Sequence, residues 1–218
     1  MKIAVMNATK LSIGPVDAAA KEFPGLEIFH FMDEGMSYLG KQEGRISAKN
    51  LSRMVRLIHS AEELGVDGIL LSCTIFSPCI DLLLPYTDLP MVAADIGVFE
   101  QAARLYRRIG AVVSFEPTMD SVAWVVQRCR DRIRPNFDAE LRLASGAFAA
   151  AAAGDEEGHN RAIYEAATAL CPGREAIVLA QMSHVRAMPL FRDFPLPVLT
   201  SPSVSLALLQ EKIRTAGS

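Results

Sequence analysis

The sequence predicts an α/β protein made of two pseudo-symmetric halves, each a parallel sheet flanked by helices, with the active site in the cleft between them. Three observations predict it. Eight short apolar runs alternate with stretches of helical periodicity, and strands that alternate with helices pair in parallel with helices on both faces. A pair of these runs recurs at nearly one spacing in the second half of the chain. Four of the runs end in small polar residues, where open parallel sheets bind their ligands.

In chain order the strands are "KIAVM", "LEIFHF", "GILLS", "MVAA", "IGAVVS", "AELRLA", "AIVLA" and "PVLT". Between them, residues 47–65 place Leu51, Met54, Val55, Ile58 and Leu64 at helical spacing, with Ser47 to cap the start and Gly65 to end the helix. "ASGAFAAAAAGD" is helical by composition and stops at Gly154. "KIAVMN" matches "RIGAVVS", and "DGILLSCT" matches "EAIVLAQM". Asn7 to Cys73 spans 66 residues and Ser114 to Gln181 spans 67. The first half therefore covers residues 1–96 and the second 97–200, with the C-terminal helix of 201–218 returning to the first half.

The bulk composition excludes several classes. The 218 residues are 50% hydrophobic with a net charge of −3, which suits a folded core and gives nothing for a polyanion to grip, so no nucleic acid is expected. The basic stretch "RCRDRIRP" reads as the solvated end of a helix. No apolar run approaches the ~20 residues that span a bilayer, and "MKIAVMNATK" is not a signal peptide, so a soluble, cytoplasmic protein without membrane contact is expected. Cys73, Cys79, Cys129 and Cys171 are widely spaced and read as free thiols. With His159 or His184 they fit no usual zinc spacing, and no metal is expected. Neither a phosphate-binding glycine loop nor a serine-hydrolase elbow occurs, so no nucleotide cofactor is expected.

The chemistry concentrates at the strand ends: Asn7 and Thr9, Cys73 and Thr74, Ser114 and Thr118, Gln181 and Ser183. If the halves face each other, these hydroxyls and amides meet in one cleft and suit a small carboxylate. Ser77–Pro78 reads as the N-cap and first residue of a helix, whose N-terminus would favour a Cys73 thiolate. "SFEPTMDS" repeats the arrangement with Pro117 and Thr118. Cys79, Cys129 and Cys171 read as structural, and His30 and His59 as packing or surface residues.

On these residues the chain resembles the aspartate/glutamate/hydantoin racemase superfamily, which also holds arylmalonate decarboxylases and maleate isomerases. "LLSCT" is similar to that family's first cysteine motif, "IGAVVSFEPTMDS" to its carboxylate-binding loop, and "VMNAT" to its first polar loop; "IVLAQMSH" stands in the place of its second cysteine motif. The resemblance implies two α/β domains, a homo-oligomer, and cofactor-independent proton transfer between two cysteines on opposite faces of an α-carbon. It implies Cys73 as one acid–base group and Asn7, Thr74, Ser114 and Thr118 as residues that hold carboxylate groups; Thr9 and Met182, beside them in the sequence, are further substrate-binding candidates. Gln181 stands where the second cysteine belongs, and a carboxamide hydrogen-bonds but does not exchange protons readily. Ser183 and His184 are the candidates to replace it, histidine the stronger because its ordinary pKa is near neutrality. Three functions follow: an isomerase of a small carboxylate acting through Cys73, a single-cysteine decarboxylase of a malonate-type acid, and a small-acid binding protein without catalysis.

Overall fold

Among the described residues eight strands form two four-stranded, wholly parallel sheets of the same topology. The computed structural model describes residues 1–43 and 46–216. In the first sheet β1 (Lys2–Asn7), β2 (Glu27–Met32), β3 (Gly68–Leu71) and β4 (Met91–Ala93) lie in the order β2-β1-β3-β4. In the second, β5 (Arg108–Val113), β6 (Asp138–Leu143), β7 (Ala176–Leu179) and β8 (Val198–Thr200) lie in the order β6-β5-β7-β8. Every predicted strand is present. The two inner strands of each sheet are buried apolar runs, as parallel strands covered on both faces must be. The edge strand β6 alternates instead, with Asp138 and Glu140 exposed and both held by Arg174 at 2.6 Å.

The repeat extends to hydrogen bonds. Asp67 accepts from the Lys2 N–H at 2.7 Å, and Glu175 accepts from the Arg107 N–H at 2.7 Å. The acid in each repeated motif thus ties down the start of the first strand of its own sheet. Strand register also corrects one equivalence. Lys2 pairs with Glu27 as Arg108 pairs with Asp138, so Val113 is the counterpart of Asn7, and Ala8 is the counterpart of Ser114. Ile3 pairs with Gly68 as Ile109 pairs with Ala176, so Cys73 and Gln181 occupy equivalent strand ends.

The helices follow the apolar patterning. They are α1 (Ile13–Ala20), α2 (Glu34–Glu43), α3 (Ala48–Leu64), α4 (Ile80–Leu83), α5 (Ala94–Leu105), α6 (Met119–Arg132), α7 (Ala147–Ala152), α8 (Glu156–Leu170) and α9 (Ser201–Ala216). In α3 Met54 and Ile58 are buried, the Ser47 hydroxyl accepts from the Asn50 N–H, and Gly65 closes the helix at φ 71°. The last helix, α9, lies on β3 and α5. A Cβ at Gly68 would come within 2.7 Å of the Ile213 side chain, so the missing side chain is what lets α9 approach the sheet. Residues 217 and 218 of the C-terminal segment lie outside the described residues. One continuous core joins both sheets, from Ala4 and Met6 through Phe76 and Phe99 to Ala111 and Val178. Among the described residues no helix is long and apolar enough to cross a membrane.

Candidate active site

Three of the inner strands, β1, β3 and β7, run directly into tight helical turns at their carboxyl ends or a residue or two beyond, and β5 does so after Ser114 and Phe115. They are the 3-10 turns Lys10–Ser12, Thr74–Cys79, Glu116–Thr118 and Met182–Phe191. They surround a single cavity. Cys73, Thr74, Ser72 and Ser12 reach it from the first sheet, and Ser114, Thr118, Gln181, Met182 and Ser183 from the second. Thr9, Ser37 and Leu11 complete one wall. Ile75, Phe115 and Phe148 supply apolar surface, the two phenylalanine rings lying 4.5 Å apart. Cys73 is the one side chain among the described lining residues that titrates.

Asn7 is not in this wall. Its amide N–H groups go to the Val5 carbonyl at 2.8 Å and to His30 Nδ1 at 3.1 Å, and Ser12 donates to its Oδ1 at 2.7 Å. Ser72 lies 2.8 Å from the same oxygen. A fully buried amide with every group engaged has nothing left for a ligand. Its work is to orient Ser12 and Ser72, which do line the cavity. Because His30 Nδ1 accepts from Asn7, its Nε2–H faces Asp17 at 2.9 Å. His30 is therefore part of a chain running from the surface to the cavity wall, more than a packing residue.

Gln181 is held in one orientation. The Ser114 backbone N–H and hydroxyl both donate to Gln181 Oε1, at 2.9 and 2.5 Å. Gln181 Nε2 donates to Thr118 Oγ1 at 3.0 Å, and that hydroxyl donates onward to the Phe115 carbonyl at 2.6 Å. A backbone N–H can only donate, so the amide cannot be flipped. One Gln181 N–H remains for the cavity. Thr118 has Ser12 as its counterpart, since both end the 3-10 turn before a helix.

His184 does not reach the cavity. It is fully buried behind Ser114, with Nε2 2.9 Å from the Ser114 hydroxyl. Since that hydroxyl's proton goes to Gln181, His184 Nε2 carries a hydrogen and Nδ1 is bare and without a partner. Burial drives its pKa down to about 3, helped by the neighbouring His159, so it is neutral and does not serve as an acid. Histidine as replacement for the second cysteine is thereby corrected: His184 acts on the cavity only by holding Ser114. Ser183 does line the cavity.

The first half differs from its sequence reading in two further ways. Ser77 is not an N-cap. A 3-10 turn already begins at Thr74, Pro78 lies inside it, and α4 starts only at Ile80 after Cys79. The Ser77 hydroxyl is taken by Asp95. Nor do the surroundings favour a resting thiolate. Burial pushes the Cys73 thiol up to about 11, the Ile75 N–H pulls the other way, and the Asp95 charge adds to the rise. The dipole of a short 3-10 turn does not outweigh desolvation.

Five participants escaped sequence reading. Ser12 and Ser72 look like ordinary hydroxyls, Phe115 and Phe148 sit in loop and alanine-rich sequence, and only Asp95, an acid at the end of the apolar run "MVAA", carried a visible signal. Among the described residues no group of three or more His, Cys, Asp or Glu side chains is placed to hold a metal. The cations nearest in sequence are engaged elsewhere, Lys10 with Glu34 at 3.9 Å and Arg186 with the Leu11 carbonyl at 3.0 Å.

No protein-family model and no curated protein matches the chain. Solved structures do. Glutamate racemase from Francisella tularensis superposes with a TM-score of 0.75 at 13% identity, covering 99% of this chain and 82% of that one. Allantoin racemase from Klebsiella pneumoniae gives 0.74 at 18% identity, over 99% and 88%. Picrophilus torridus aspartate racemase gives 0.73 at 13% identity, over 100% and 95%. The chain thus has the fold of the aspartate/glutamate/hydantoin racemases.

Proposed function

We propose that this protein is an isomerase-type enzyme that moves a proton at the α-carbon of a small carboxylate, with Cys73 as the acid–base group on one face. The observation that carries the proposal is positional: Cys73 and Gln181 end equivalent strands and line one cavity, so a bound α-carbon has a thiol on one side and a carboxamide on the other. The likeness in fold to glutamate, aspartate and allantoin racemases supports the reaction class.

In this reading the carboxylate sits against the Thr74 hydroxyl and the spare Gln181 N–H, while Ser114 and Thr118, whose own protons go to Gln181 and the Phe115 carbonyl, hold that amide in place. Removing the α-proton moves charge onto that carboxylate, and donors fixed beforehand stabilise it. The spare Gln181 N–H is such a donor, held in place by Ser114 and Thr118. The Cys73 sulfur takes the α-proton, and its thiol returns one on the same face, to the α-carbon as exchange with retention or to an adjacent carbon of the delocalised anion as net isomerisation. This chemistry uses no metal or cofactor.

A second reading has its own support. A locked carboxamide opposite one thiol suits decarboxylation of a disubstituted malonate, in which a single proton delivered to one face completes the reaction. One experiment separates the two. The purified protein is incubated in D2O with a panel of chiral α-substituted carboxylates and disubstituted malonates and followed by NMR. Deuterium at the α-carbon without CO2 release supports the isomerase; CO2 release from a malonate supports the lyase. Exchange or CO2 release that persists in Cys73→Ala rules out both.

A further inference from the structure

Among the described residues Asp95 is the one buried carboxylate, it acts on the Cys73 thiol, and nothing in the proton transfer described above uses it. It is fully buried at the start of α5. Register places it: Leu71 of β3 pairs with Ala93 of β4, so Cys73 and Asp95 each stand two residues beyond a paired position on adjacent strands. Adjacent strands lie roughly 4.8 Å apart. One carboxyl oxygen accepts from Ser77, which belongs to the turn that Cys73 opens. The other, Oδ2, is buried without a hydrogen-bond partner. An unpaired buried carboxylate oxygen is costly and calls for an explanation. In the second half the equivalent position is Pro202, so the acid accompanies the thiol and not the carboxamide.

We propose that Asp95 is a positioning residue that sets the protonation state of Cys73, the two forming a buried acid–thiol pair that carries one negative charge between them. In one form the thiol holds its proton and the carboxylate is ionised. In the other the S–H bond is broken, the proton is on the carboxyl oxygen, and the sulfur is the base that attacks the α-proton. The total proton count is the same in both forms, and because the thiol and Oδ2 share no hydrogen bond the two groups are coupled through charge. This deepens the proposed function and rests on it for the catalytic consequence, while the coupling itself is measurable without substrate.

The environment suits the pair. Burial raises Asp95 to about 7, with Ser77 and the first N–H groups of α5 pulling it down. Of the ionisable groups on the elements packed against α5, Cys73 on the Thr74–Cys79 side and Cys129 on α6 feel the Asp95 charge. Cys79, on the Cys73 side, is raised by burial alone. Arg128 on α6, with Glu100 and Arg104 on α5 itself, also acts on Cys129. On α9 the charged Glu211, Lys212 and Arg214 are exposed.

The test is the rate of Cys73 alkylation by iodoacetamide, mapped by peptide mass spectrometry from pH ~6 to ~10. Removing the carboxylate charge in Asp95→Asn is expected to speed labelling of Cys73 about tenfold at a given pH, moving the profile about one unit lower. Ser77→Ala keeps the acid but removes its donor, weakening its ionisation, and is expected to shift the profile the same way by less. Melting curves identify which variants fold, and if Asp95→Asn does not, Ser77→Ala decides. Profiles that coincide with the wild type in the folded variants overturn the proposal. A shifted profile in a protein that exchanges no α-proton in any tested acid keeps the pair and removes only the proposed reaction.

Discussion

The two halves share a backbone and differ in what they place on it. Strand order, register and even the acid that ties down the first strand recur. Yet the first strand end carries Cys73 with Asp95 beside it, and the second carries Gln181 with Ser114, Thr118 and His184. The first half holds groups that change protonation; the second holds neutral donors and acceptors locked by one another. A duplicated scaffold therefore does not imply a duplicated chemistry: symmetry supplies two equivalent positions on one cavity, and under the proposed function the side chains there decide whether both exchange protons.

The comparison breaks most completely at Cys73. Cys73→Ala is expected to lower α-proton exchange, read by NMR in D2O, by about 10²–10⁴-fold, the usual worth of a positioned acid–base group. Gln181→Ala removes a fixed donor and releases Ser114 and Thr118; a loss of about 10²-fold in kcat is expected, with the cavity still able to bind acid by thermal shift.

The halves also respond oppositely to pH. Asp95 is raised from 3.8 to about 7, so the folded protein keeps a proton that the unfolded chain has lost, and its contribution to stability fades as pH rises through about 7. His184 is lowered from 6.5 to about 3, so below about 6.5 the unfolded chain gains a proton that the folded one refuses, and stability fades as pH falls. Relative to wild type, the Tm of Asp95→Asn is expected to rise from pH ~4 to ~7, and that of His184→Gln to rise from pH ~6.5 down to ~4. Parallel melting curves at every pH would contradict both assignments.

The smallest effects test the symmetry itself. The helices before β3 and β7 are capped alike, Ser47 accepting from Asn50 N–H and Asp155 from Gly158 N–H. Ser47→Ala and Asp155→Ala are each expected to cost about 1 kcal/mol in denaturant unfolding, with no change in activity.

The strands were legible because buried parallel strands leave continuous apolar runs, and α3 because its caps and apolar spacing are local signals. What escaped depends on register or on hydrogen-bond direction. A one-residue offset made Ser114 look like the counterpart of Asn7, when Ala8 holds that place. Ser77–Pro78 reads as a helix start, but the chain turns four residues earlier, because β3 ends at Leu71 and the backbone must clear the sheet. Asn7 and His184 are the right types in the right stretch, yet both face inward, each holding a serine that lines the cavity. Asp95 gains its meaning only from β4 lying next to β3.

The central claim is that one face of the bound carbon meets a thiol and the other does not. It is tested most directly by incubating each enantiomer of a responsive acid with the wild-type protein in D2O and reading deuterium content and configuration together by chiral-phase NMR. The account predicts deuterium entering with retention, from one enantiomer only, and inversion appearing when a second thiol is supplied by Gln181→Cys. Wild-type protein that interconverts both enantiomers at comparable rates would contradict it.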